Sequence, residues 1–318
     1  MAGCDYLNKK INIISLVGPT ASGKTALSGE LAKKYNGEIV SADSMQIYKN
    51  MQIATAKPTK EEMCGISHHL MDFVEPDKTY SVAMYVEDAK CCIEDISSRN
   101  ILPIIVGGTG LYVDSLLNNV KFSDESRDEK VTEELKQICY ENGVDYMLEM
   151  LSSFDSVSAE KLSEQRNVKR IIRAIEFYKT TGKPISEQVE NSRLEESPYK
   201  AIKIGLNFKD REKLYSRINK RVDIMLESGL LEEAKEVLES DLSYTSVKAI
   251  GYKELIPYFK GEKTLEECVE KLKMETRRYA KRQIPWFKRD AHIIWIYIDV
   301  YNSFEEIFNK ACEIIEKG

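Results

Sequence analysis

The sequence predicts an α/β fold in which helices flank a parallel sheet and a helical insertion domain interrupts the chain. Three observations predict it. Short apolar runs alternate with helix-period segments as far as Leu117. A glycine-rich loop follows the first run directly, and after Asn118 strand signals vanish for roughly 80 residues.

Each element has its own local reason. Ile11 to Val17 is an apolar run without clean alternation, which suits a strand buried on both faces. Gly18-Pro19-Thr20-Ala21-Ser22-Gly23-Lys24-Thr25 comes next, and Leu27, Leu31 and Tyr35 then recur at helical spacing. Glu38 to Ala42 is a second strand, ending at Asp43. Tyr48 to Thr79 is rich in turn residues and is predicted to be irregular. Ser81 reads as the N-cap of a helix running to about Ser98. Ile101 to Val106 is a third buried strand, stopped by Gly107-Gly108, with a helix from near Thr109 to Leu117. Only helices are predicted from 118 to 198. Residues 200–208 (AIKIGLNFK) return as a strand. Helices follow over 210–239, 247–260 and 264–288, then a strand from His292 to Ile298 and a helix over 303–317. The domain organisation is therefore a core of 1–117 and 200–318, with the helical insertion at 118–199.

Composition excludes several classes. With 318 residues, 42% hydrophobic and 31% charged, the chain can build a large core and is neither disordered nor fibrous. No apolar run approaches the roughly 20 residues of a membrane helix, so no membrane partner is expected. The start, MAGCDYLNKK, lacks an apolar signal core, and a cytoplasmic location is expected. Seven scattered cysteines without C-x-x-C spacing, beside three histidines, fit neither a disulfide framework nor a zinc site. A net charge of −6 argues mildly against nucleic-acid binding, unless the cations are gathered on particular faces.

Gly18 to Thr25 matches G-x-x-x-x-G-K-[ST] between a buried strand and a helix, which makes the fold P-loop NTPase-like. Backbone N–H groups of such a loop turn inward around phosphate oxygens. Lys24 supplies a point charge, Thr25 a hydroxyl for a magnesium ion (Mg2+), and the helix directs its positive end at the same place. The loop does not say what is done with the phosphates. The later Asn-Lys pairs, at Asn219 and Asn309, lack the aspartate of a GTPase base-reading motif, and the strand 101–106 ends in glycines rather than the acid of a motor ATPase. Asp43 ends the second strand, where α/β sheets bind ligands, and can accept a proton or cap a turn. His68-His69 reads as structural hydrogen bonding in its loop rather than a metal or proton relay, because adjacent residues do not point the same way.

Gly18–Thr25, Ser41–Tyr48 continuing to Pro58, His68–Asp72, Gly107–Tyr112, Ile250–Glu254 and Arg278–Gln283 occur in this order. Together they resemble the tRNA dimethylallyltransferase family over nearly the whole chain. The resemblance implies transfer of a dimethylallyl group from dimethylallyl diphosphate to the exocyclic amine (N6) of the adenosine 3′ of the anticodon, releasing diphosphate. It implies Asp43 as general base, Thr109 near the reacting centre, Arg221 on the diphosphate, and a monomer whose partner is the tRNA anticodon stem-loop. It further implies tRNA contacts at Asp43, Ser44, Met45, Gln46 and Thr109, and at Gln165, Arg166, Asn167, Val168 and Lys169. Pro285 and Lys288 depart from the family's threonine and arginine, and Pro285 is expected to weaken or bend its helix.

Two basic faces fit that reading. Arg166, Lys169, Arg170 and Arg173 recur at i, i+3, i+4 and i+7, opposite Val168, Ile171, Ile172 and Ile175. Arg277, Arg278, Lys281 and Arg282 share one arc of a helical wheel, with Trp286 and Phe287 following, a combination that suits an RNA loop with splayed bases. An adenosine in a stacked loop must be extruded to reach a buried phosphate site, and the Gln46 amide would suit its base edge. The alternatives are a P-loop small-molecule kinase binding ATP and a non-catalytic RNA-binding ATPase.

Overall fold

The structure, a computed structural model, describes residues 10–122, 128–192, 195–239 and 249–318. The described residues form two compact units, one from the chain up to Leu117 and from Ser197 onward, the other Asn118–Glu196.

The first unit opens with β1 (Ile11–Val17), α1 (Lys24–Tyr35), β2 (Gly37–Ser41), the single turn α2 (Lys60–Met63) and β3 (His68–His69). Then come α3 (Val82–Ser98), β4 (Leu102–Gly107) and α4 (Gly110–Leu117). The second unit contains α5 (Glu129–Ser152), α6 (Ser156–Gln165), α7 (Val168–Thr181) and α8 (Ile185–Asn191). The first unit resumes with β5 (Tyr199–Asn207), α9 (Arg211–Glu227), α10 (Leu230–Glu239), α11 (Ile256–Phe259), α12 (Leu265–Lys288), β6 (Ile294–Tyr297) and α13 (Phe304–Lys317).

All six strands are parallel, in the order β3-β2-β4-β1-β5-β6. Because β4 lies between β1 and β2, the loops after these three strands emerge side by side at the carboxyl edge, where open α/β sheets bind ligands. Val17 is level with Gly107, and Ser41 with Val106. The sheet is buried through alternating faces: Ile14, Leu16, Ile104, Ile204 and Ile296 join Leu27 and Leu31 of α1 and Cys312 and Ile314 of α13 in one cluster. A second cluster packs Ile47, Tyr48 and Met51, from the loop after β2, against Val222 of α9, Ala234 of α10 and Leu272 of α12. In the second unit Leu135, Met147 and Leu151 of α5 pack on Ile171, Ile172 and Ile175 of α7.

Several elements differ from the sequence expectation. The stretch expected to be irregular after Tyr48 contains α2, closed by a Thr59/Glu62 capping box, and the sheet's edge strand β3. Two residues are too short to show a period. The run 210–239 breaks at Gly229, whose φ of 98° no helix continues. Of the helix expected over 247–260, 247–248 lie outside the described residues, 249–255 form turns, and only Ile256–Phe259 is helical. Gly251 explains this: its φ is 118°, and a Cβ there would lie 2.8 Å from the Ala54 side chain. The final strand is shorter than expected because Ile298–Val300 winds into a 3-10 turn. Pro285 leaves α12 helical through Lys288.

Candidate functional site

The phosphate loop leaves β1 through Gly18 and enters α1 through Gly23, whose φ of 87° caps the helix. Only glycine fits at Gly18, where a Cβ would lie 2.5 Å from the Leu206 carbonyl. Lys24 folds back into the loop and donates to the Gly18 and Pro19 carbonyls, each at 2.9 Å. Burial pushes this ammonium down to about 8, against the pull of the Asp43 carboxylate and with Arg221 lowering it further. The Ser22 hydroxyl is buried in the same loop and has no hydrogen-bond partner among the described residues. An orphaned donor beside an ammonium at a helix N-terminus is chemistry that suits an anion.

Two arginines one turn apart on α9 close the loop from outside. Arg221 donates to the Thr20 hydroxyl at 3.3 Å and the Ala56 carbonyl at 3.4 Å. Arg217 donates to the Ala21 carbonyl at 3.0 Å, its guanidinium lying over the Phe208 ring. Burial lowers the Arg221 pKa, with Asp43 opposing. The Ala56 carbonyl belongs to a loop that Glu233 of α10 anchors: its carboxylate accepts the N–H groups of Gln52, Ile53 and Ala54 at 2.8, 2.7 and 2.9 Å. The Tyr252 hydroxyl also donates to Glu233, at 2.9 Å. The motif around Gly251 thus holds the loop on which Arg221 rests.

Asp43 follows β2. Its Oδ1 accepts the Met45 and Gln46 N–H groups at 2.9 and 3.4 Å, so the capping role is real. The second oxygen is not used by that turn. The influence of Asp43 on both Lys24 and Arg221 places its charge with the phosphate loop. Beside it, Thr109 accepts the Ser44 N–H at 3.0 Å through its hydroxyl oxygen and donates to the Ser44 hydroxyl at 3.3 Å. The Gln46 amide nitrogen donates to the Thr55 and Ala56 carbonyls at 3.2 and 3.1 Å, so only its amide oxygen is left to read a base.

The structure brings Gly18–Thr25, Asp43–Gln46, Thr109 and Arg221 to one edge of the sheet, and adds residues that sequence reasoning missed. Tyr279 of α12 touches Thr109 and Gln283, and burial together with Asp43 raises its hydroxyl pKa. Gln283 bridges Thr20 and Gly108. Arg217 had a signal, its four-residue spacing from Arg221. Tyr279 and Gln283 repeat that spacing on α12.

Of the basic residues on α12, Arg278, Lys281 and Arg282 are exposed, as are Lys271 and Lys288 nearer its ends. Arg278 pairs with Glu275 at 2.7 Å, and Arg277 donates to the Asn219 side-chain oxygen at 2.6 Å. In the second unit the expected four-cation helix face is corrected. Arg166 caps α6 with a φ of 46°, and Asn167 starts α7, accepting the Arg170 N–H. A left-handed residue cannot lie on a continuous wheel, so the face consists of Lys169, Arg170 and Arg173. Arg166 pairs with Asp145 at 2.8 Å, Arg173 with the buried Glu176 at 3.0 Å, and Gln165 accepts from Arg170 at 2.8 Å. Val168 packs into the unit's core.

His68 contacts the Ile66 carbonyl and His69 contacts Glu38, which Arg99 also grips with two bonds of 2.7 Å. Both histidines are structural, although they sit in a strand rather than the expected loop. Among the described residues no cluster of three His, Cys, Asp or Glu could hold a metal, and no helix is long and apolar enough to cross a membrane.

Comparison with known proteins gives a consistent result. Residues 46–290 match the family model for IPP transferase, and residues 11–74 that for isopentenyl transferase. A tRNA dimethylallyltransferase of Thermoanaerobacter sp. (strain X514) is 50% identical over 300 residues, covering 93% of this chain and 95% of the relative. One from Caldanaerobacter subterraneus subsp. tengcongensis is 49% identical over 308 residues, covering 96% and 98%. The crystal structure of full-length tRNA isopentenylpyrophosphate transferase from Bacillus halodurans is 41% identical with a TM-score of 0.71, covering 97% of this chain and 98% of that one. A eukaryotic dimethylallyltransferase acting on tRNA superposes with a TM-score of 0.80 at 31% identity, covering 96% and 80%.

Proposed function

The chain belongs to the tRNA dimethylallyltransferase family, and from that premise we propose that it transfers a dimethylallyl group from dimethylallyl diphosphate to N6 of the adenosine 3′ of the anticodon of tRNA. The observation that carries the reading is the shared edge of the sheet: an anion-binding loop with Lys24, Arg217 and Arg221, and a carboxylate at Asp43 with one oxygen left over.

The reaction uses these groups as follows. The adenosine amine forms a bond to the first carbon of the dimethylallyl group, and the bond from that carbon to the diphosphate oxygen breaks. The electron pair leaves with the diphosphate, whose growing charge falls among Lys24, Arg221, the loop amides and the Ser22 hydroxyl. The amine proton passes to the second oxygen of Asp43, while Oδ1 stays on its two backbone donors and keeps the carboxylate aimed. Thr109 fixes Ser44, and so Asp43, relative to β4.

Magnesium fits this site in a limited way. Thr25 lies in the first turn of α1, and none of the described residues takes its side-chain hydroxyl as a hydrogen-bond partner. A hydroxyl plus diphosphate oxygens and water is the sparse coordination magnesium favours, so the lack of a carboxylate cluster is no obstacle. When bound, the ion would balance charge on the departing diphosphate.

The tRNA would be held through the exposed cations of α12, chiefly Lys281 and Arg282, and through Gln165–Lys169 of the second unit. Phosphate contacts of this kind offset the few kcal/mol, in order of magnitude, of extruding a base. Incubating the protein with unmodified tRNA and dimethylallyl diphosphate, then analysing the nucleosides by mass spectrometry, tests the proposal. A dimethylallyl adenosine is expected next to the anticodon. ATP-dependent phosphorylation with no prenylated nucleoside would instead establish the kinase alternative.

A further inference from the structure

We infer that Gln283 is a positioning residue that fixes the register between the phosphate loop and the Thr109 loop; the inference rests on the prenyl-transfer reading of this site. Its side chain is only 5% exposed, and both ends are used. Oε1 accepts the Thr20 N–H at 2.9 Å, and Nε2 donates to the Gly108 carbonyl at 2.9 Å. The first partner lies in the loop that would hold the leaving group. The second is the residue before Thr109.

From each end the connection continues to a reacting group. Thr20 accepts Arg221 through its hydroxyl at 3.3 Å. Thr109 accepts the N–H of Ser44 at 3.0 Å, and Asp43 is the next residue. Gln283 is therefore a strut between the diphosphate site and the proton acceptor. Space enforces it: a Cβ at Gly108 would lie 2.3 Å from Nε2. The strut also spends the Thr20 N–H, which removes it from the donors facing the diphosphate.

The chemistry selects glutamine. One planar group must accept at one end and donate at the other. An ionised carboxylate would oppose the Gly108 carbonyl, and a thioether would leave a buried N–H and a buried carbonyl unpaired. A misplacement of about 1 Å between reacting groups costs about 100-fold in rate.

The test compares Gln283→Met and Gln283→Glu with wild type, using single-turnover rates at saturating substrates, tRNA affinity and melting temperature. Gln283→Met should react about 30- to 100-fold more slowly, with tRNA affinity within about twofold of wild type. Gln283→Glu should be as slow at about pH 8.5, but recover about fivefold relative to wild type near pH 6. There the protonated carboxyl can donate to Gly108 again, and a carboxyl facing a carbonyl in a buried site is pushed up into that range. The charged and titratable neighbours, Lys24, Asp43, Arg221, Tyr279 and Arg282, are common to all three proteins, so their own titration divides out of the ratio; their effect on the new carboxyl, lowering by the cations and raising by Asp43, sets only where between these two pH values the recovery falls. A Gln283→Met rate within about threefold of wild type, or a Gln283→Glu ratio flat with pH, overturns the inference. If Gln283→Met loses tRNA binding through misfolding, the pH ratio of Gln283→Glu decides alone. Absence of prenylated product from wild type overturns the underlying reading as well, whereas wild-type turnover with an unaffected Gln283→Met overturns the strut only.

Discussion

Asp43→Asn separates the two jobs of this side chain. Asn keeps Oδ1, which holds the Met45 and Gln46 N–H groups at 2.9 and 3.4 Å, and so preserves the turn that Asp43→Ala would break. At about 1 kcal/mol per bond, that turn is worth about 2 kcal/mol, and Asn spares it. The change instead falls on the second oxygen, which becomes an amide nitrogen with no lone pair for a proton. Losing a positioned general base slows chemistry by about 100- to 1,000-fold, or roughly 3 to 4 kcal/mol of barrier. The electrostatics sharpen the expectation. Asp43 acts on Lys24 and Arg221, so removing its charge leaves two buried cations without their local counter-charge. At a pH well below 8, where Lys24 stays an ammonium even without the Asp43 charge, dimethylallyl diphosphate should therefore bind at least as tightly as to wild type while the chemical step fails. Rapid-quench single turnover of preformed protein–tRNA complex with labelled donor reads the step directly, free of product release. A near-normal rate with tighter donor binding would show that Asp43 only balances charge and that solvent takes the proton.

Other outcomes follow from the same geometry. Donor kcat/KM should fall as pH rises through about 8, because burial lowers the Lys24 pKa to that region and only the ammonium form binds the anion; in Lys24→Met that limb should vanish from the pH profile. Glu233→Gln gives up part of a carboxylate serving three backbone N–H groups, and should lower urea stability by about 2 kcal/mol and weaken donor binding through Ala56 and Arg221. Arg166→Ala should leave the melting temperature nearly unchanged while reducing tRNA affinity and flattening its dependence on salt, as titrations at several salt concentrations would show. Gly110→Ala would drive a Cβ to 2.2 Å from the Trp286 ring, and chemical denaturation should register an overpacking loss of about 1 to 3 kcal/mol.

What the sequence disclosed divides along a physical line. Buried strands β1, β2, β4 and β5 and the Ser81-capped α3 were legible because period, caps and glycines are local signals. The strand–glycine-rich loop–helix order at Gly18–Thr25 was legible for the same reason. Asp43 was visible as a strand-end acid with two possible roles, and the structure shows that it caps with one oxygen while keeping the other. What escaped were features set by long-range contact. β3 exists only because two residues find the edge of β2. The turns at 249–255 replace a helix because Gly251 must approach Ala54 closely. Gln283 meets Thr20 across 263 positions of sequence, and no local pattern encodes that meeting. The cation wheel at 166–173 failed because helical spacing cannot reveal that a residue of the set is left-handed.

Net charge misleads here for a related reason. The chain is acidic overall, yet its arginines are not free to act as a uniform field. Arg217 and Arg221 both turn toward the loop between β1 and α1; burial protects the attraction of Arg221 for an anion from screening, whereas Arg217 stays exposed. Arg166 and Arg278 sit outside, each paired with a carboxylate. An RNA phosphate arriving at either must displace Asp145 or Glu275, so part of its attraction is already cancelled by the departing carboxylate. Lys281 and Arg282 face no such exchange. On the proposed function, equal counts of cations would therefore contribute unequally: the pair on α9 would serve the small anion, Lys281 and Arg282 would carry most of the pull on RNA, and the paired arginines would add geometric selection, engaging only where a phosphate replaces the carboxylate in place.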